Sequence, residues 1–529
     1  MTPAVTPWSW LAAAAPVLVL LALVTTGRMK TRTAALLVAG LTLLLAWTVF
    51  GSGALTLGVA LAKGLWLGTW ILYVVFPAML LYRIAERAGF DRIGGLFGHL
   101  FPNRSENLLV LAWLLPSFVQ GVAGFGTPIA VAAPLLAASG WARHRAVAYP
   151  LIGYQWSVTF GSMGSSYYMA ALTAHLGSHE STAFAHRASL LLGVNCLVAG
   201  ALLLLLDGGL RGLRDGGPLL LVAGVPMAAT LYAVTAVVPA VGSVAAGAVG
   251  FAAAITLAVV TRGLRRRRRA PAAEDPIPAH ESRRRAVWLV SPYLYLLGIA
   301  LLVLLVPASR HWVDEHAALA PGFPATSTAL GWRTPAISGY TPLRLFDHPG
   351  TYLLLACGLG YLTYRAVGLW RRRPAAEMLR AWWSSVHSTA VSILALACVT
   401  TVLIEAGMVS TLARGAVAAT GSAFPALSGL IGALGSFLTG SSTSSNALFS
   451  ALQAEVAGLL HAPASVLLAA QTAGANVGNS LAPVVVLIGI SAAGGEVDTH
   501  RVLRVVSVAA VVLLAVVTGA TLVMFRGAT

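Results

Sequence analysis

The chain has 529 residues, of which 58% are hydrophobic and only 10% charged. That is too little charge to keep a folded surface of this size in water, so a soluble enzyme or transcription factor is excluded and a set of membrane spans is required. The net charge of +17 would suggest nucleic acid in a soluble protein, but the basic residues lie between apolar runs, most densely at Arg265 to Arg269 and Arg283 to Arg285. There they mark the cytoplasmic side of a membrane protein, and no nucleic-acid partner is expected.

In chain order, the run Trp8 to Thr26 has no basic residue before it and Arg28, Lys30 and Arg32 after it. This is the reverse of a cleavable signal and predicts a retained span with its N-terminus outside. Further apolar stretches at 33–50, 64–82, 146–174, 188–206, 218–236, 240–261, 287–307, 350–370, 384–404, 464–492 and 502–525 bring the expectation to about twelve spans, each near the roughly 20 residues that cross about 30 Å.

Charge bookkeeping isolates two stretches that cannot be simple spans. Arg83, Arg87, Arg92 and Arg104 precede the segment 105–142, and Arg143 and Arg145 follow it, so both flanks belong on the cytoplasmic side. The segment splits at Gly121 to Pro128 into arms of about 13 residues, or about 20 Å as helix, too short to cross alone. A re-entrant hairpin from the cytoplasm is predicted. The stretch 425–460 has the same form around Thr439 to Asn446, and parity makes it enter from outside.

The two hairpins echo one another in sequence. Ser117 to Gly121 and Ser436 to Gly440 share Ser-Phe-apolar-x-Gly, each after a Phe-Pro pair, and each hairpin precedes a stretch interrupted by small polar residues, Phe160 to Ser166 and Gly474 to Ser480. Paired, oppositely directed interruptions point to the site of a secondary transporter, where unwound backbone at membrane depth surrounds a cavity. The alternative is that Gly and Ser there only allow close helix packing.

The fold class expected is an all-α integral membrane protein, an inverted-repeat secondary transporter with two opposed re-entrant hairpins and two broken helices. Its parts are an N-terminal repeat over 1–206; middle helices over 207–383 with a cytoplasmic basic loop at 262–285 and an external loop at 308–349; and a C-terminal repeat over 384–529. Both loops are expected to be peripheral to transport, the arginines acting on topology.

Helix N-termini meeting at hairpin tips offer backbone N–H groups and partial positive charge to an anion. The substrate-binding residues expected are Gln120, Gly121, Gly124, Phe125, Gly126 and Thr127 at the first tip; Gln155 and Ser162 at the first break; Gly440, Ser441, Ser442, Thr443, Ser444, Ser445 and Asn446 at the second tip; and Asn476 and Asn479 at the second break. For Asn446, helix capping is the competing use.

Lys63 is expected to snorkel to the interface, and Glu405 and His387 to be solvated there, with titration as the alternative. Cys196, Cys357 and Cys398 read as small apolar residues, and His175, His179 and His186 lack the partners of a metal site. No GxSxG, HExxH or phosphate-binding loop occurs, so no enzyme is expected. An anion channel, or a carrier of a different small organic anion, remains the alternative.

These strings resemble the lactate permease family, most sharply at Gly121-Val-Ala-Gly-Phe-Gly-Thr-Pro-Ile-Ala130, Phe160-Gly-Ser-Met-Gly164 and Phe437-Leu-Thr-Gly-Ser-Ser-Thr-Ser-Ser-Asn-Ala-Leu-Phe449. The resemblance implies a cytoplasmic-membrane permease for lactate, glycolate or a related 2-hydroxy monocarboxylate. It also implies coupling to protons, with sodium as the alternative and no cofactor or metal, and a transport domain that moves against a scaffold in a protein often dimeric. Three positions depart from the family pattern: Gln120 stands where the family has Glu, Ser442 where it has Asp, and Asn479 where it has Lys. A Gln cannot relay a proton as Glu does.

Overall fold

In hydrocarbon every backbone N–H and C=O needs a partner within its own segment, and this chain meets that demand with helices. The computed structural model describes residues 5–25, 29–89, 101, 103–122, 124, 126–268, 279–305, 317–370 and 375–527. Each stretch read as a span carries helix: α1 (Pro7–Thr25), α2 (Thr31–Thr48) and α3 (Ala54–Ala88) open the chain. By length and composition, seven of the described helices can cross a membrane, or eight if one bent pair counts as a single span.

The first hairpin begins with α4 (Arg104–Leu109), passes through a π-helical stretch at Val110–Leu114 into α5 (Leu115–Val122), and returns as α6 (Thr127–Ala138). Then come α7 (Arg143–Gly153), an irregular stretch, and α8 (Ser165–Thr173). The next helix, α9 (Ser178–Thr235), would be about 87 Å long if straight, but Gly209 leaves helical geometry at φ 59°, ψ −146°. Gly200 faces Leu220, Gly224 faces Leu197 and Gly193 faces Ala228, so the two halves run antiparallel, one over each of the spans expected at 188–206 and 218–236.

The middle of the chain comprises α10 (Gly242–Arg268), α11 (Ala279–Leu305), the loop expected to be external, described over 317–348, and α12 (Pro349–Ala366). Of the basic loop, Arg269 to Pro278 lie outside the described residues. The described part of that loop is built from two small antiparallel pairs, β1 (Ala318–Leu319) with β4 (Leu343–Arg344) and β2 (Thr326–Ser327) with β3 (Arg333–Thr334). It docks on the N-terminal half of α3: the Thr56 hydroxyl donates to Ser327 O, the Trp66 indole to Thr341 O and the Trp70 indole to Pro342 O.

The last third runs α13 (Ala375–Glu405), α14 (Met408–Thr420), α15 (Phe424–Thr439), α16 (Ser442–Leu459), α17 (Ala464–Leu481), α18 (Pro483–Ala493) and α19 (Thr499–Arg526). Helices α15 and α17 touch backbone to backbone. A Cβ on Gly474 would lie 1.8 Å from Gly429 O, and one on Gly478 2.0 Å from Ala433 O.

Two expectations about charge are corrected here. Lys63 does not snorkel and Glu405 is not solvated: their side chains are 3% and 2% exposed and 2.5 Å apart, joined across α3 and α13 beside that loop. Thr326 of that loop donates to the second carboxylate oxygen at 2.6 Å. Two scarce opposite charges in an apolar setting find each other because leaving either alone is far more costly. His387 is half-buried and lies 3.2 Å from Arg32 Nη1.

Candidate functional site

Both hairpin tips are held by local chemistry. At the first, Gly126 turns the chain at φ +85° and α6 starts at Thr127, with Pro128 in the first turn where no N–H is needed. The Gly124 N–H donates to Ser162 Oγ at 2.8 Å, tying this tip to the break after α7. That break is real: Ser162, Met163 and Gly164 all have positive φ.

At the second tip, Gly440 turns the chain at φ +70°, and Ser441 caps α16 by accepting from the Ser444 N–H. The unwound stretch is therefore short, and Ser442 to Asn446 already lie in the helix. Cap and tip are one structure: the Thr439 hydroxyl also donates to Ser441 O.

The tips meet. Gln120, Gly126, Ser162, Gly440, Ser441, Ser442, Thr443 and Asn479 line one small cavity of about 30 Å³. It adjoins a larger one of about 430 Å³, lined by Gly126, Thr127, Gly440, Ser441 and Ser444 together with Thr31, Met79, Tyr82, Arg83, Glu86, Ser388, Thr389, Ser392 and Ile488. Arg83 and Glu86 occupy the last two turns of α3, on the side that the charge pattern assigns to the cytoplasm. The larger cavity thus runs from the tips toward that face.

Two helix N-termini, at Thr127 and Ser442, border these cavities, each carrying about half a positive charge. No formal charge sits at the tips themselves. Among the described residues, the charged side chains lining either cavity are Arg83 and Glu86. Backbone N–H groups, hydroxyls and a Gln amide can hold a carboxylate there, while Val485 and Ile488 offer apolar wall.

Several expected contacts do something else. Asn446 does not cap and lines neither cavity; its amide donates to Ser166 O, Ser166 Oγ and Thr472 Oγ1, holding α16 to α8 and α17. Ser445 donates to Gly432 O and accepts from Gln471. Asn476 accepts from Thr159 in the same buried network. Gln155 is fully buried and lines neither cavity. A Cβ on Gly121 would meet Val244 N at 2.7 Å, so this glycine serves packing against α10. Phe125 lies outside the described residues.

The second break is also displaced. Gly474 to Ser480 are helical, and the chain bends by 45° only at Ala482, between α17 and α18. Pro483 marks the bend, since it cannot supply an N–H to continue α17. The vestibule residues Arg83, Glu86, Ser388, Thr389 and Ser392 were not expected at the site. The signal for Arg83 and Glu86 was present, a charged pair one helical turn apart near the basic end of an expected span.

Comparison with known proteins identifies the family. The family profile described as L-lactate permease matches residues 9–526. The L-lactate permease of Salmonella typhi is 26% identical over 82% of this chain and 80% of its own length, and that of Bacillus subtilis 26% over 93% and 92%. The glycolate permease GlcA of Escherichia coli is 26% identical over 83% and 80%. Among solved structures, the YdaH transporter of Alcanivorax borkumensis aligns with 88% of the chain and 86% of its own at 16% identity and a TM-score of 0.49. The chain belongs to the L-lactate permease family.

Proposed function

We propose that this multi-pass cell-membrane protein is a secondary active transporter that carries a small 2-hydroxy monocarboxylate such as lactate or glycolate. The carrying observation is that Gly126 and Gly440, the turn residues of two separate hairpins, line the same pair of cavities with a helix N-terminus behind each. The substrate carboxylate sits against those N-termini and the hydroxyls of Thr127, Ser441 and Ser444. Its hydroxyl and short carbon chain lie toward Gln120, Val485 and Ile488.

Alternating access follows from movement of the hairpins as a unit against α3 and α13, the two halves of the chain acting as inverted repeats. The described conformation corresponds to the inward-facing state, since the larger cavity leads toward Arg83. The coupling ion in this reading is a proton, with sodium as the alternative. Uptake of labelled L-lactate and glycolate into proteoliposomes, with an imposed proton gradient, an imposed sodium gradient or neither, tests the proposal. Saturable accumulation under one gradient is the expected outcome, and no uptake of either acid under any condition would reject it. A current without saturation or counterflow would identify a channel.

A further inference from the structure

The tips offer an anion partial charges only, since Gln120, Ser442 and Asn479 are all neutral. Among the described residues, the formal positive charge lining the cavity is elsewhere, at Arg83 on α3. Arg83 Nη1 lies 2.8 Å from Glu86 Oε2, one turn on, and both side chains line the cavity that Thr127, Ser441 and Ser444 enclose from the other end. The pair is partly solvated, at 29% and 37% exposure. An ion pair of that kind contributes little to stability, so a competing carboxylate can displace it. Glu86 is also held independently: its other oxygen accepts from the Tyr82 hydroxyl at 3.3 Å, so the carboxylate keeps a partner when the guanidinium turns away.

We propose that Arg83 is a substrate-binding residue of the cytoplasmic vestibule. Its guanidinium engages the carboxylate of the monocarboxylate in place of Glu86, so Glu86 acts as a built-in competitor that weakens binding on the inner side and speeds release. A guanidinium suits the task because it grips a carboxylate through two parallel hydrogen bonds and stays charged at any cellular pH. The assignment rests on the transporter reading above. It adds an asymmetry: α3 supplies this charge at the inner face, so Arg83 sets affinity there and not at the outer face.

Initial-rate uptake of labelled L-lactate, measured in right-side-out and in inside-out membrane vesicles from a host without its own lactate uptake, tests this. Arg83→Gln is expected to raise the KM measured in inside-out vesicles about tenfold and the outer KM less than twofold. Glu86→Gln is expected to lower the inner KM several-fold, and Arg83→Lys to recover part of the loss. Opposite signs for the two neutral variants distinguish competition from a structural pair, whose loss from either side acts alike. Equal shifts at both faces, shifts of the same sign in both variants, or no shift in either would overturn the assignment of Arg83 alone. Absence of saturable uptake in the wild type would overturn the transporter reading and this inference together.

Discussion

The ammonium of Lys63 and the carboxylate of Glu405 are buried 2.5 Å apart, with Thr326 of the loop between α11 and α12 bonded to the same carboxylate. Removing one charge strands the other, so Lys63→Met and Glu405→Gln are each expected to cost about 3–5 kcal/mol, while Lys63→Met combined with Glu405→Leu recovers most of that. Thermal unfolding of the purified protein in detergent measures it. A double variant no more stable than either single one would contradict the reading.

Gly124 lies so close to the first break that a Cβ there would come 2.1 Å from Ser162 Oγ. Gly124→Ala therefore pushes the tip away from the break, at a cost of about 1–3 kcal/mol, and uptake is expected to fall at least tenfold. Adding Ser162→Gly removes the obstructing hydroxyl at a residue already at positive φ and should restore part of the rate. If the double variant is as inactive as Gly124→Ala, the clash is not the cause.

Asn446 ties three helices through one amide. Asn446→Ala leaves Ser166 and Thr472 short of a partner in a buried setting and is expected to destabilise by about 1–3 kcal/mol. The folded fraction should keep its KM. A raised KM without loss of stability would place Asn446 in the substrate site instead.

Gly474 and Gly478 let α17 touch the backbone of α15. Gly474→Ala, Gly478→Ala or both should reduce the yield of folded protein, because a methyl group cannot share space with a buried carbonyl oxygen. Normal yield with impaired lactate binding would show that these glycines serve the site directly.

The all-helical, multi-span character and the turns at Gly126 and Gly440 were legible in the sequence because apolar length and glycine-rich interruptions are local signals, whereas about twelve spans were expected and seven or eight of the described helices are long and apolar enough to cross. The first break was legible too, since Gly-Ser-Met-Gly interrupts an apolar run and Ser162, Met163 and Gly164 take positive φ. The second was misplaced because the run Gly474 to Ser480 has the composition of a break while serving as a packing face, and only Pro483 marks the bend. Lys63 and Glu405 are 342 residues apart, so their pairing is invisible to local pattern. Each stood at the end of an expected span, and the scarcity of charge there was the available clue. Asn446 looked like a tip residue only because the turn is shorter than the polar run around it.

The central claim is that the two tips jointly hold a carboxylate, and counterflow of labelled L-lactate in proteoliposomes tests it most directly. Thr127→Val and Ser444→Ala each delete one hydroxyl from a different hairpin without altering the Gly126 or Gly440 turns. Loss of a hydrogen bond to a charged group is expected to raise the counterflow KM about tenfold or more in each variant, with thermal stability close to wild type. Saturable wild-type counterflow combined with an unchanged KM in both variants and in their combination would contradict the account.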